Sequence, residues 1–544
     1  MKLVTNPQMH LIEQEADGSG LTYGKMMENA GYNLSCEVLR LVYAQEDEEE
    51  IQVLGLVGPG NNGGDTLVAL ARLAEKGWTA RAYLVHRKVT GDALIKRLEE
   101  AEGEVYQAEK DESFQQLQAF LESADVVLDG VLGTGFKLPL KDEIGSALAA
   151  VQGIITKMEW PPYIIAVDCP SGVDCDSGQA APQTIPADAT VTMAAVKQGL
   201  LKLPAYDLIG ELRVVEIGRL DDLKTWQAVK NEVADEGLAL SILPPRPTDA
   251  HKGTFGTALI AAGSINYTGA ALLAGKAAYR SGAGLVTLAI PASLHGTLAG
   301  QFPEATWVLL PHEIGVIASG AADVLMKNLE RATALLVGPG LGLEDTTKEF
   351  IENLLSSSAE KPAHGRMGFV KGGEVKTDLK PVSLPAMVFD ADGLKLLAKL
   401  PDWPKLLPAQ TILTPHPGEM SVLTGMPIEE IQKDRLNVAR KFSQEWGHVV
   451  VLKGAFTVIA APDGRTTTIP LASPALARAG TGDVLAGLIT GLRAQGVDAY
   501  DAARSGAWIH AQAGLLAAEF QGSTAAVMAG DVLEAIADVI ANQV

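Results

Sequence analysis

The chain has 544 residues, 47% hydrophobic and 20% charged, with 56 glycines and few aromatics at 5%. That length exceeds one ordinary core, so two or more domains are expected, and the composition is that of a globular α/β protein with many short loops. A net charge of −22 excludes bulk electrostatic attraction to nucleic acid or an anionic membrane, so a phosphate ligand would need local help from helix termini, lysines or a cation.

Three cysteines, Cys36, Cys169 and Cys175, are too few for a disulfide scaffold, and the odd number fits a reducing compartment. The segment Met1-Lys2-Leu3-Val4-Thr5-Asn6 lacks the apolar core of a signal peptide, and Glu13, Glu15 and Asp17 follow. No run approaches about 18 uninterrupted apolar residues, so no membrane span is expected and the cytoplasm is the expected location.

Residues 1–220 read as one α/β unit. Apolar runs at 51–57, 126–129 and 163–168 predict buried parallel strands, each ending in a cluster of glycine, aspartate or proline, with helix-like sequence such as 66–76 between them. That alternation predicts a doubly wound sheet, with ligands at the carboxyl ends of its strands. Gly58-Pro59-Gly60-Asn61-Asn62-Gly63-Gly64-Asp65 follows the first strand. Its glycines let the backbone approach a ligand closely, as phosphate loops do. It is neither a Walker loop nor the dinucleotide fingerprint, because the lysine and the glycine spacing are wrong. An Asn-Gly pair alone reads as a turn, but two similar loops follow: Asp129 to Phe136 and Asp168-Cys169-Pro170-Ser171-Gly172. Where these ends converge, Asn62, Asp129 and Ser171 offer hard oxygens to a monovalent cation, leaving Asp168 for acid/base work. Taken singly, each aspartate reads as the cap of its turn.

These loops, with Met26-Met27-Glu28-Asn29-Ala30-Gly31, resemble the N-terminal domain of the NAD(P)H-hydrate epimerase family over roughly the first 220 residues. The resemblance implies that Asn61, Asn62, Gly63, Gly64 and Asp65 bind the hydrated nicotinamide nucleotide. It implies the same of Gly133, Thr134, Gly135, Phe136, Lys137, Leu138 and Pro139. It also implies that Asp168 contacts the damaged ring as a catalytic residue, and that Asn62, Asp129 and Ser171 hold potassium.

Residues 221–250 change to acidic and polar helix-like sequence ending in Pro244-Pro245-Arg246-Pro247. This predicts a stiff extended connector and a domain boundary. A second α/β pattern runs from 251 to 544, with strand-like runs at 256–263, 285–290, 334–338, 387–390 and 449–453. Residues 359–384, rich in glycine and lysine, read as a mobile surface insertion. Glycine-rich and polar loops stand at five strand ends: His251 to Gly256 leads into the first strand, and Gly338-Pro339-Gly340-Leu341-Gly342, Asp390 to Leu394, Thr414 to Met420, and Lys453-Gly454-Ala455 close others. His416 lies between two prolines, so its backbone is held extended. Lys453 ends a strand, where a lysine either meets a phosphate or stays solvated. Ala479-Gly480-Thr481-Gly482-Asp483 runs directly into an apolar helix pattern. Bare N–H groups at such a helix N-terminus suit a phosphate or a developing oxyanion, and Asp483 can take a proton from a hydroxyl aimed at it.

This half resembles the ribokinase-like superfamily and, within it, the ADP-dependent NAD(P)H-hydrate dehydratases, over residues 235–544. The resemblance implies that Gly340, His416 and Asp483 face the hydrate. It implies that Lys453, Gly454, Ala455, Phe456 and Thr457, with Ala479, Gly480, Thr481 and Gly482, bind ADP, with ATP as the alternative nucleotide and Mg²⁺ as its cation. The expected chemistry is epimerisation of the R and S hydrates of NAD(P)H in the first domain. The second would dehydrate the S form by phosphorylating its hydroxyl, with Asp483 as base and the N–H groups of Gly480 to Gly482 around the transferring phosphoryl group. The family also suggests a homo-oligomer. Two other readings stay open: a hydroxymethylpyrimidine-type kinase behind a ligand-sensing domain, and a non-catalytic sensor of nicotinamide metabolites.

Overall fold

The computed structural model describes residues 1–43, 51–140, 142–356 and 384–541. The chain divides into two compact units, Met1–Asn231 and Glu232–Val544. Among the described residues no helix is long and apolar enough to cross a membrane.

The first unit holds a seven-stranded sheet in the order Glu104–Gln107, Thr79–Leu84, Gln52–Val57, Val126–Gly130, Tyr163–Val167, Ala189–Met193 and Glu211–Val215. Every neighbouring pair is parallel. Strands buried on both faces explain the near-continuous apolar runs, and separate apolar clusters cover the two faces. The strand order reverses between Gln52–Val57 and Val126–Gly130, which is where a ligand crevice is expected. The helix Asn61–Ala74 leaves that crevice and packs on the helix Tyr23–Tyr43. It starts earlier than the 66–76 helix-like segment: Gly60 is its N-cap, so Asn61 to Asp65 form its opening turn rather than a loop.

The second unit holds a ten-stranded sheet. From Val449–Leu452 through Ile412–Leu413, Ala386–Phe389, Ala334–Val337, Thr257–Ala261 and Leu285–Pro291 to Thr306–Leu310 it is parallel. Val458–Ala460 and Thr466–Thr468 extend the other edge as antiparallel strands, followed by Asn231–Val233. Both sheets are therefore α/β, the second with an antiparallel edge.

The stretch 221–250 is more ordered than a bare connector. Lys224–Ala228 is helical and packs on the helix Asn6–Gly18, where Glu15 accepts from the amides of Lys224 and Thr225. Asn231–Val233 joins the second sheet, and the helix Glu236–Ser241 buries Ala239 and Leu240 in the second core. Apolar anchors such as Val229, Val233 and Ala234 fasten this chain to the units, leaving 242–250 without helix or strand. The insertion at 359–384 lies outside the described residues, apart from Leu384.

The helix Thr481–Ala494 crosses Gly269–Arg280 at backbone contact. A Cβ on Gly487 would stand 2.1 Å from the Ala274 carbonyl oxygen, and one on Gly491 would stand 2.0 Å from Ser281 Oγ. Gly487→Ala is expected to destabilise the second unit by about 1–3 kcal/mol through overpacking, read as a lower urea midpoint for that unit's transition.

Candidate active sites

The first unit opens a cavity of about 210 Å³ at the reversal of strand order. Asn61, Asn62 and Asp65 reach it from the first turn of the helix Asn61–Ala74, and Asp168 reaches it from the end of Tyr163–Val167. The glycines of that turn serve packing. A Cβ on Gly63 would lie 2.1 Å from the Gly58 carbonyl oxygen, and one on Gly64 would lie 2.7 Å from Met27 Sδ. Of the 133–139 loop, Thr134 lines the cavity; Gly135, Lys137 and Pro139 are exposed beyond it and Gly133, Phe136 and Leu138 are half-buried.

Asp168 holds a left-handed backbone conformation, φ +65°, uncommon outside glycine and marking a constrained position. Its Oδ1 accepts from Thr192 Oγ1 at 3.0 Å, from the Met193 amide at 3.0 Å and from Lys197 Nζ. Lys197 is itself buried and also donates to Thr192 Oγ1 (3.0 Å) and the Met193 carbonyl (2.8 Å). Sequence reasoning missed Lys197; the signal available was a lone lysine inside the apolar run Ala194 to Leu201. Burial pushes the Asp65 carboxyl well above the usual range, and the nearby Asp168 and Glu13 carboxylates push it further.

Asn62, Asp129 and Ser171 come together around Leu132. Asn62 Nδ2 donates to the carbonyls of Leu132 (3.2 Å) and Val167 (2.6 Å), and the Leu132 amide donates to Ser171 Oγ (2.9 Å). Ser171 donates to Asp129 through its hydroxyl (2.5 Å) and its amide (2.8 Å). Asp129 is fully buried and these partners are neutral; burial raises its pKa, and the Ser171 hydrogen bonds oppose that.

The second unit carries a cavity of about 440 Å³ beside the N-terminus of the helix Thr481–Ala494. Lys453, Gly454, Ala455, Thr457, Thr481 and Gly482 line it, with apolar walls from Leu471, Leu476 and Leu485. Phe456, Ala479 and Gly480 do not. Phe456 is buried, and Gly480 is the N-cap at φ +92°, where a Cβ would meet Leu273 Cδ1 at 2.8 Å. The Thr481 amide turns back to the Arg478 carbonyl (3.4 Å), while those of Gly480, Gly482 and Asp483 have no partner among the described residues.

Lys453 Nζ bonds Asp390 Oδ1 at 2.6 Å, lies 3.6 Å from Glu419 Oε2, and would be 3.5 Å from a Cβ on Gly482. Burial lowers the lysine pKa, but Asp390 and Glu419 outweigh it and the net shift is upward. Asp483 follows Gly482 and is partly buried; burial first, then the Asp390 carboxylate, raise its pKa to about 7. His416 caps the helix Pro417–Thr424, its Nδ1 accepting from the amides of Gly418 (2.9 Å) and Glu419 (3.3 Å). That leaves Nε2 protonated, 3.3 Å from Glu419 Oε1, and burial lowers the ring's pKa, so it is neutral at pH 7. The same ring lines the cavity, so His416 both caps its helix and reaches the site. Gly340, at φ +63°, sits against Tyr267 and Ala270 rather than in this cavity; its loop joins the cluster where the Gly342 amide donates to Asp392 Oδ2 at 3.1 Å. His510, absent from the sequence reading, lines the cavity and bonds the Thr481 carbonyl at 2.9 Å, its pKa lowered by burial to about 4.

A family model for NAD(P)H-hydrate dehydratase matches residues 258–362 and 373–537, breaking within the 359–384 insertion. A model for the YjeF-related protein N-terminus matches residues 24–199. The bifunctional NAD(P)H-hydrate repair enzyme of Moorella thermoacetica is 35% identical, covering 100% of this chain and 97% of its own length. That of Thermofilum pendens is 34% identical over 96% and 93%. The crystal structure of the ADP/ATP-dependent NAD(P)H-hydrate dehydratase from Bacillus subtilis, co-crystallised with ATP and Mg²⁺, is 29% identical, covers 57% of this chain and 98% of its own, and has a TM-score of 0.45.

A carboxyl whose folded pKa is raised from 3.8 to about 7 favours the folded state below its unfolded pKa, and that contribution is lost as pH rises through 7. Asp483→Asn is therefore expected to raise the melting temperature of the ligand-free second unit by at least about 2–4 °C at pH 8 and by less at pH 5, where only part of the contribution has been lost, followed by calorimetry.

Proposed function

The chain belongs to the bifunctional NAD(P)H-hydrate repair enzymes, and from that premise we propose how its side chains divide the work. It is an enzyme of metabolite repair, with an NAD(P)H-hydrate epimerase unit followed by an ADP/ATP-dependent dehydratase unit. The observation that carries the assignment of residues is the Asp483 carboxyl, with a pKa of about 7, beside the open N-terminus of the helix Thr481–Ala494.

Water added across the enamine-like double bond of the nicotinamide ring leaves a hydroxyl, and hydroxide is a poor leaving group. In our reading Asp483 takes the proton of that hydroxyl as its oxygen attacks the β-phosphorus of ADP. A base with a pKa near the working pH suits this step. The amides of Gly482 and Asp483 and the Lys453 ammonium face the charge on the transferring group. AMP leaves as the β-phosphorus is attacked; phosphate then departs with the carbon–oxygen electron pair and the neighbouring ring carbon loses a proton, leaving NAD(P)H. The apolar wall of Leu471 and Leu476 suits the base of the nucleotide. Mg²⁺ fits as a cation carried on the phosphates. The described residues offer no cluster of three or more metal-ligating side chains of the histidine, cysteine or carboxylate kind, and phosphate-bound Mg²⁺ needs one or two protein carboxylates at most.

In the first unit Asp168, fixed by Lys197 and Thr192, handles protons at the hydrated carbon. A potassium ion fits beside Asn62, Asp129 and Ser171: Asp129 is a fully buried carboxylate with neutral partners, and hard oxygens surround it. When bound, the ion would supply positive charge next to a phosphorylated ligand.

Given racemic hydrate, Mg²⁺ and ADP, the wild-type chain should return all of the nicotinamide absorbance. Asp168→Asn should return half, with the dehydratase rate unchanged. Asp483→Asn should lower dehydration at least a thousandfold while the epimers still interconvert, and wild-type turnover would refute its role. Below about pH 7 the dehydration rate should fall tenfold per pH unit, because the base becomes protonated. Potassium, exchanged for tetramethylammonium at constant ionic strength, should raise the melting temperature of the first unit, and Asp129→Asn should remove that response.

A further inference from the structure

The epimerase cavity holds a carboxyl group that no motif and none of the assignments above uses. Glu13 lies on the helix Asn6–Gly18, before the family match begins at residue 24. This helix is firmly held. Thr5 and Gln8 form a capping box, and Met9, Ile12 and Ala16 are buried in the core. Met9 and Glu13, one turn apart and so on one face, both line the 210 Å³ cavity that Asp65, Asp168 and Lys197 also line.

The charges in this cavity do not balance. Lys197 spends its three N–H groups on Asp168, Thr192 and the Met193 carbonyl, leaving none for Glu13. The Asp168 and Asp65 carboxyls face Glu13 from the strand end and from the helix Asn61–Ala74, and His10 accompanies it on its own helix. Tyr23 closes the rim. The Glu13 carboxyl makes no hydrogen bond among the described residues, and its half-buried position holds it above its usual range against the opposing pull of Lys197.

Inversion at a hydroxyl-bearing carbon needs water to leave one face and add at the other, so a donor and an acceptor of protons are both required. Two carboxyls on one cavity, Asp168 bonded to a buried lysine and Glu13 without a cation of its own, meet that need. We propose that Glu13 is a second catalytic acid–base residue of the epimerase, paired with Asp168 and acting on the ring hydroxyl of the NAD(P)H hydrate. The Glu13 carboxyl gives its proton to the hydroxyl oxygen, the carbon–oxygen bond breaks with its electron pair going to the oxygen, and water leaves. The ring nitrogen lone pair forms the iminium double bond. Water then adds to the opposite face, its electrons forming the new carbon–oxygen bond while the iminium pair returns to nitrogen, and the Asp168 carboxylate takes its surplus proton. Exchange with solvent returns a proton to Glu13 and removes one from Asp168. The reverse epimerisation uses the two groups in opposite roles.

This inference rests on the epimerase assignment of the first unit, and one experiment separates the two. In the full-length chain, interconversion of a single purified hydrate epimer is followed by chiral chromatography for wild type, Asp168→Asn, Glu13→Gln and Glu13→Asp. Dehydration of the S form in the same preparations is the internal control. Glu13→Gln should lower the epimerase kcat by about a hundredfold or more with KM for the hydrate within about twofold, and Glu13→Asp should recover part of the loss. Dehydratase activity and the melting temperature of the first unit should match wild type. A wild-type kcat in Glu13→Gln, or a loss confined to KM, overturns the proposal. An active Asp168→Asn would instead overturn the reading of the site on which it rests. Should Glu13→Gln lower the melting temperature, Glu13→Asp decides: no recovery of kcat at wild-type stability also overturns it.

Discussion

Each unit sets a lysine against a buried aspartate at a strand end, and the scarcity of other cations around these pairs shapes the electrostatics of the carboxyls beside them. Lys197 is committed to Asp168 and Lys453 to Asp390. Further carboxyls crowd in without a cation of their own: Glu13 and Asp65 in one unit, Asp483 in the other. Poor solvation and neighbouring negative charge raise the pKa of all three. The lysine-paired aspartates are held in fixed orientation, while Glu13, Asp65 and Asp483 have no cation bonded to them, a difference set by environment rather than residue type. Removing either lysine would leave an uncompensated buried charge, more costly than losing a surface ion pair.

The sheets make this crowding achievable. Parallel strands bring their carboxyl ends to one edge, and the helices that follow present N-terminal amides there. Helices can begin so close to the strand ends because glycine lets backbone meet backbone. A Cβ on Gly58 would stand 1.8 Å from the Val131 carbonyl oxygen, and one on Gly338 would stand 1.8 Å from that of Asp390. The glycine-rich strand ends therefore do two jobs. Gly482 keeps the cavity floor open, whereas Gly58, Gly63, Gly64 and Gly338 allow close packing.

The two chemistries ask different things of one kind of group. In the proposed dehydratase step a single base faces a nucleotide, and Asp483 stands in the first turn of a helix, where the terminus suits anions. Interconverting epimers needs no phosphate but two proton-handling groups, and the epimerase cavity gathers three carboxyls around one ammonium.

Much was legible in the chain because it is local. Strand-length apolar runs, the glycine clusters that end them and the step from Gly480-Thr481-Gly482 into a helix are encoded within a few residues. They pointed to the α/β class, two units and the family, and to strand ends where Asn61, Asn62, Asp65 and Asp168 meet one cavity and His416 lines another. What stayed hidden depended on distant residues meeting. Lys197 lies 29 residues beyond Asp168, Lys453 lies 63 beyond Asp390, and Glu13 comes from a helix at the far end of the first unit. Backbone conformation and strand-end position follow from short-range sequence, because sterics and burial periodicity act over a few residues. Which carboxyls share a lysine, and which therefore keep their protons, is an electrostatic balance among side chains from separate elements, and only the tertiary structure decides it.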